Sequence, residues 1–487
     1  MTSLAGPGFA KPECLRQENN GRYGALQPVL PVDTHENCCK RDAFIWTGMS
    51  TVVSLQNGDR TSALYRRLDR RLLSFLLICY LFACLDRLNV GFARLHMQSD
   101  IGLTDAQYGL AAGIFFIGYA LFEVPSNLLL PKTGARKAIS RILVLWGLTS
   151  AAMVATRDAT TFYVLRFLLG VFEAGFTPGI LFYLTCWYPE SRRAKAIAAV
   201  MIGGPLAGVL GGPLSMWIMT TFAGLGGLSG WQWMYLIEGL PCVALGIMAR
   251  VLLADRPETA SWLSPEERQE LVDMAAKPQH AERHGFAEVV KDPYVYLMSA
   301  AYFCVICGIY LINFWLPGLL AAGGVTDPMK IGLYSSIPFV AATIGMVVAG
   351  RSSDRRNERR WHSAIPALVS AISLAATAVS SDRLDVSLIC ITIATTAMWM
   401  AYTVFWTIPS AYLKGPAAAG GIALINTIGV LGGFFSPAAI GWLRTSTGSF
   451  RACLLLMVAI MAIGAALLAA TRPAPVSGRG KSEICER

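Results

Sequence analysis

The sequence predicts an all-α membrane protein in which twelve transmembrane helices form two six-helix pseudo-repeats. Three observations lead there: an apolar composition, a succession of apolar runs long enough to cross a bilayer, and a second half that repeats the layout of the first. Of the 487 residues, 54% are hydrophobic and only 15% charged, with a mean hydropathy of +0.49. Soluble domains carry about 25% charged residues, and one soluble core cannot bury this much apolar surface. The formal net charge of +10 does not point to nucleic acid, because Lys and Arg occupy short hydrophilic gaps between apolar runs and not one face.

About 20 residues rising about 1.5 Å each cross a hydrocarbon core about 30 Å thick. Runs of that kind are expected at 72–93, 107–131, 138–156, 161–187, 195–222 and 231–254, then at 293–321, 331–350, 363–380, 385–412, 416–443 and 450–470; they are spans 1 to 12. Residues 1–64 form a polar, unpatterned extension with Pro7, Pro12, Pro28 and Pro31, expected to be disordered. Met1 and Met49 are both candidate translation starts. The first bundle then covers 65–254, a hydrophilic loop 255–292, the second bundle 293–472 and a tail 473–487. Within the loop, Ser264 is expected to cap a short surface helix with Pro265 at its first position.

Basic residues alternate between loops. Arg66, Arg67, Arg70 and Arg71 precede span 1, Lys132, Arg136, Lys137 and Arg141 follow span 2, and Arg192, Arg193 and Lys195 follow span 4, with Arg351, Arg355, Arg356, Arg359 and Arg360 after span 8. The intervening loops carry few. The bias of Lys and Arg toward the cytoplasm places both termini inside a plasma (inner) membrane; Arg444 and Arg451 run against it. The halves also match in detail, since GVLGG occupies Gly208–Gly212 in span 5 and Gly429–Gly433 in span 11. The cysteines read as free thiols, Cys304 and Cys307 included, because most lie in or beside apolar runs and the Cys-x-x-Cys lacks a redox-fold context.

A charge in the bilayer centre costs at least about 2.5–3.5 kcal/mol, so each one present needs a reason. Span 1 carries Asp86, Arg87 and Asn89, and span 4 carries Arg166 and Glu173. Asp86 lies about 22 Å from the basic end and Arg166 about 8 Å from the opposite one, levels that nearly coincide. An Asp86 to Arg166 ion pair is therefore expected, leaving Arg87 to meet an anionic substrate and Glu173 as a separate proton site. A static charge network that only locks the helices together is the competing reading. Glu123 belongs to a gate or a structural network, and Glu238 suits either role. Asn426 suits substrate binding or helix-to-helix bonding. Tyr302, Tyr310, Phe314 and Trp315 in span 7, and Trp399, Tyr402, Phe405 and Trp406 in span 10, are placed to stack on a ring or to pack. The Gly480–Ser482 GKS lacks the upstream glycine of a P-loop, and no catalytic constellation, metal cluster or cofactor motif is visible.

Five segments together, LDRLNVGFA, FEVPSNLLL with GARK, RFLLGVFEAGFTPG, RPETASWLSPEER and GRSSDRRNERRWH, resemble the anion:cation symporters of the major facilitator superfamily, carriers of tartrate, hydroxyphenylacetate, phthalate and sugar acids. The resemblance covers about residues 65–472. It implies that Arg87 contacts the substrate carboxylate, that Asp86 and Glu173 handle the coupling proton with Arg166 linked to them, and that Asn426 helps bind. Gly350, Asp354 and Arg355 match the family's gating motif, while the copy after span 2 lacks its acid. Tyr302 and Trp399 complete the candidate substrate site. The expectation is proton-coupled uptake of a small organic anion by a monomer that needs no cofactor and is not an enzyme, with the anion, protons and the bilayer as partners. A proton-driven exporter and a transport-derived solute sensor are the alternatives.

Overall fold

The computed structural model describes residues 61–275, 286–380, 383–413 and 417–471. Among them every regular element is helical, and twelve helices are long and apolar enough to cross a membrane. They are span 1 Thr61–Ile101, span 2 Asp105–Leu130, span 3 Ala135–Ala155, span 4 Ala159–Trp187, span 5 Glu190–Thr221 and span 6 Gly230–Leu252, then span 7 Pro293–Ala322, span 8 Pro328–Arg356, span 9 Arg360–Val379, span 10 Leu384–Tyr412, span 11 Gly420–Thr447 and span 12 Phe450–Ala469. The expectations for residues 1–60 and 473–487 lie outside the described residues. Span 1 nevertheless begins inside the stretch expected to be unstructured, because Leu64, Leu68 and Leu72 recur every fourth residue and are buried, which gives the first turns an apolar face.

Local sequence sets the helix ends. Thr104 and Gln107 form a reciprocal capping box at the start of span 2, and Asp292 and Asp327 cap spans 7 and 8 ahead of a proline at the first position. In the connecting loop the helix Pro265–Ala275 is capped as its sequence predicts: Glu267 N donates to Ser264 Oγ at 3.2 Å and Ser264 N to Glu267 Oε2 at 2.9 Å. Span 4, expected to be continuous, is broken. Its first helix ends at Glu173, and Gly175, with φ 87°, opens the second at Phe176. Only glycine adopts that conformation without strain, and a Cβ there would overlap the Ser126 hydroxyl.

The two halves meet most closely at the arginine-poor end. Spans 2 and 11 touch through Gly109 against the Pro437 carbonyl and Gly441 against the Asp105 carbonyl, and Ala106 N donates to Thr445 Oγ1 at 2.9 Å. Spans 5 and 8 meet where Gly212 faces Gly332, and Ser336 Oγ donates to the Val209 carbonyl at 2.6 Å. Small residues are what allow helices to approach backbone to backbone in a membrane, where no hydrophobic force separates helix from lipid. A leucine at Gly109 is expected to lower stability by about 1–3 kcal/mol through overpacking, read as a lower unfolding temperature in detergent. Gly350→Ala is the control, since its Cβ would meet open space.

Candidate substrate and proton site

Span 1 turns its two charges to different neighbours, as the roughly 100° between adjacent helical residues requires. Asp86, 1% exposed, faces span 3: Trp146 Nε1 donates to Oδ2 at 2.7 Å, and Ser150 donates to Oδ1. Asn89 Nδ2 donates to the same oxygen at 3.2 Å. Trp146 and Ser150 lie one turn apart on a single face, which is why one carboxylate receives both. Arg166, also 1% exposed, directs its donors to the carbonyls of Ala111 and Ala112 at 3.4 and 3.3 Å and lies over the Phe115 ring at 5.0 Å. It reaches those carbonyls because Gly170 sits directly on the Phe115 carbonyl, which presses span 4 onto span 2.

The expected Asp86 to Arg166 ion pair is not formed; Arg166 stays within electrostatic range of Asp86 but bonds elsewhere. The pair that forms is Arg87 with Glu173, with Nη2 at 2.5 Å and Nε at 2.6 Å from Oε1. Matching depth along two helices did not fix their rotation, and the break after Glu173 leaves that carboxylate as the last residue of its helix, facing span 1. Arg87 is thus already partnered where it was expected to be free, and Glu173 is not a separate site. The Arg87 side chain keeps 22% exposure against 0% for Glu173, so Arg87 is the more exposed member of the pair. It lies 5.3 Å from the Tyr119 ring centre.

The other candidates surround this pair unevenly. Asn426 Nδ2 donates to Glu123 Oε1 at 2.9 Å, bridging spans 2 and 11, and Glu123 is within electrostatic range of Arg87. Tyr302 is buried and stacks on Phe405 at 5.1 Å, while Trp399 packs edge-on against Tyr402 at 5.4 Å. Tyr310 and Tyr402 of the last six spans, with Tyr80 and Tyr119 of the first six, lie near Arg87. Glu238 accepts from Ser215 Oγ at 2.8 Å, and its Oε2 has no hydrogen-bond partner. Sequence reasoning passed over Trp146, Ser150, Tyr80 and Tyr119. The one-turn spacing of Trp146 and Ser150 was a readable signal, but nothing local said which helix they face.

Gly350, Asp354 and Arg355, expected in a loop, lie in the last turns of span 8 itself: Asp354 pairs with Arg359 Nη1 at 2.5 Å, Arg355 is exposed and Gly350 has open space beside its Cα. Partial burial raises the Glu358 carboxyl, but bonds from the His362 ring and from the Trp361 and His362 backbone N–H groups outweigh it and hold it below its usual value. The acid missing from the loop after span 2 arrives from elsewhere: Asp255, just past span 6, accepts from Arg136 N at 2.9 Å.

A twelve-helix bundle with buried charges on span 1 and on the broken span 4, and a partly exposed arginine near aromatic groups of the opposite half, is the architecture of a membrane carrier. The Major Facilitator Superfamily model matches residues 76–437, and the chain belongs to that superfamily. Relatives include "Putative metabolite transport protein NicT" of Pseudomonas putida, 43% identical over 83% of this chain and 93% of its own length. A "Putative tartrate transporter" of Agrobacterium vitis is 41% identical over 87% and 98%, and "Quinolone resistance transporter" of Acinetobacter baumannii is 40% identical over 82% and 92%. The solved D-xylose-proton symporter shares the fold at a TM-score of 0.67 and 13% identity, covering 83% of this chain and 98% of that one.

Removing Arg87 strands a buried carboxylate, which typically costs about 3–5 kcal/mol. Arg87→Gln should therefore unfold at a lower temperature than the wild type, and adding Glu173→Gln should restore most of the difference; a double variant no more stable than the single would contradict the pairing. For Glu358, a carboxyl held low in the folded state stabilises at neutral pH and loses that contribution as pH falls through its folded value. Glu358→Gln should accordingly be less stable than wild type at pH 7, with the gap in unfolding temperature closing only below the ordinary glutamate value of about 4.3.

Proposed function

We propose that the protein carries a small carboxylate inward across the inner membrane together with a proton, by alternating access between its two six-span halves, 65–254 and 293–472. The observation that carries this reading is the Arg87–Glu173 bond, in which a partly exposed arginine is held by a fully buried acid. A substrate carboxylate and Glu173 compete for one guanidinium. When a proton moves onto Glu173, its negative charge is cancelled and Arg87 turns to the substrate carboxylate. When the proton leaves, Glu173 reclaims Arg87 and the substrate is expelled. Proton and anion therefore raise each other's affinity, the reciprocity symport requires.

Asp86 is a second buried acid beside the pair, held by Trp146, Ser150 and Asn89, with Arg166 as its distant countercharge. The tyrosines around Arg87, with Tyr302 and Trp399 behind them, form the wall of the substrate site from the second half, and Asn426 joins it when Glu123 releases its amide. Gly350, Asp354 and Arg355 act at the basic end, which faces the cytoplasm with both termini; the carrier works as a monomer. Tartrate-like hydroxy acids are the first candidates, on the name of the 41% identical relative. The 40% identical relative named for quinolone resistance favours a second reading, drug export.

The test is uptake of labelled L-tartrate and a panel of other small carboxylates into proteoliposomes. Acidifying the outside should raise uptake for at least one of them, and Glu173→Gln should abolish that pH response while keeping solute exchange. Uptake indifferent to pH in the wild type would end the coupling, and quinolone resistance conferred on sensitive cells with no carboxylate uptake would favour export.

A further inference from the structure

A second charge cluster closes the arginine-poor end. Arg94 of span 1 and Arg444 of span 11 converge on one carboxylate, Asp105 at the start of span 2, with Arg94 Nη2 2.5 Å from Oδ1 and Arg444 Nε 2.7 Å from Oδ2. Gln98 Nε2 adds a bond to Oδ1 at 3.1 Å. Arg94, only 4% exposed, lies 4.1 Å from the Trp315 ring centre, and Arg444 lies 3.6 Å from that of Phe450. Arg94 and Asp105 belong to the first six spans, and Arg444, Trp315 and Phe450 to the last six. Two cations share one anion, so the cluster is one negative charge short.

It is also short of acceptors. A guanidinium carries five N–H donors, and Nη1 of both Arg94 and Arg444 is buried with no hydrogen-bond partner. Both arginines line a cavity of about 200 Å³ whose other walls include Gly318, Ala321 and Ala322. A Cβ at Gly318 would overlap Arg94 Nη1, so the glycine makes room for the guanidinium.

We propose that Arg94 and Arg444 form a loading site for the carboxylate of the transported anion, apart from Arg87, where the arriving carboxylate takes Arg444 from Asp105. The planar fork of arginine matches a carboxylate in two parallel bonds, and the walls admit a small group. Asp105 keeps Arg94 and Gln98, while Arg444 is released from span 2, so the arriving anion loosens the bond that holds the halves together at this end. The identity of the ligand rests on the carboxylate reading above, and the site faces outside on the same orientation.

A latch and a binding site give opposite signs for two substitutions. Asp105→Asn and Arg444→Gln both break the cross-half bond, but the first frees both arginines for an anion and the second removes one. The measurement is calorimetric titration of L-tartrate into purified protein in lipid nanodiscs, all in an Arg87→Gln background so that central binding is silenced. Asp105→Asn should tighten the remaining binding by about threefold or more, Arg444→Gln should weaken it roughly tenfold, and Arg444→Lys should fall between, keeping charge but not the fork. Shifts in the same direction for Asp105→Asn and Arg444→Gln, or no binding even with Asp105→Asn, would overturn the loading site. Failure of wild-type proteoliposomes to take up any carboxylate would instead overturn the function proposed above, so the two failures are distinguishable.

Discussion

The bond between Arg87 and Glu173 is the constraint around which the central region is organised. A cation beside a fully buried carboxylate offsets the cost of taking its charge out of water, and here the cation sits on a different span, so the pair ties the rotation of span 1 to that of span 4. That rotation turns Asp86 the other way, toward span 3, where an indole N–H, a hydroxyl and an amide supply the bonds a second buried acid needs. It also leaves Arg166 to the carbonyls of span 2. Each of these contacts follows once the first pair is set.

The break in span 4 makes that pair reachable. In an unbroken helix Glu173 would continue into the next turn with its backbone carbonyl bonded inside the helix; here the left-handed turn at Gly175 ends the helix at Glu173. Irregular backbone at this depth is tolerated where it is buried in protein and not exposed to lipid, and Ser126 and Asn127 of span 2 lie against the turn. The same few residues thus set the break in the helix, the packing of spans 2 and 4, and the placement of the acid.

The twelve spans, their approximate limits and the meeting of spans 1 and 4 were legible in the sequence, because length and apolarity are properties of a single segment. Pairing was not. Depth follows from counting residues along one helix, whereas rotation is set by neighbours that no window of one segment contains, so Asp86 was assigned the wrong partner. Arg444 shows the same limit: as a loop charge it breaks the bias of basic residues, yet in the fold it is the counter-ion of an aspartate from the other half. A charge that violates a topological rule while lying near a span end is a reason to look for a partner across the molecule.

Two arginine–carboxylate bonds in this protein do different physical work because of where their partners sit. Arg87 and Glu173 belong to the same half, so breaking or protonating that pair changes the charge presented to a ligand without pulling the halves apart. Arg444 and Asp105 belong to opposite halves, so breaking that bond removes a contact between them whatever happens at the centre. Under the proposed function a diffusing anion attracted to guanidinium groups would meet both sites, and span 1, which carries Arg87 and Arg94 seven residues apart on one helix, joins them as well. On that reading, affinity for one functional group at two depths would act together with the link that span 1 makes between the centre and the arginine-poor end.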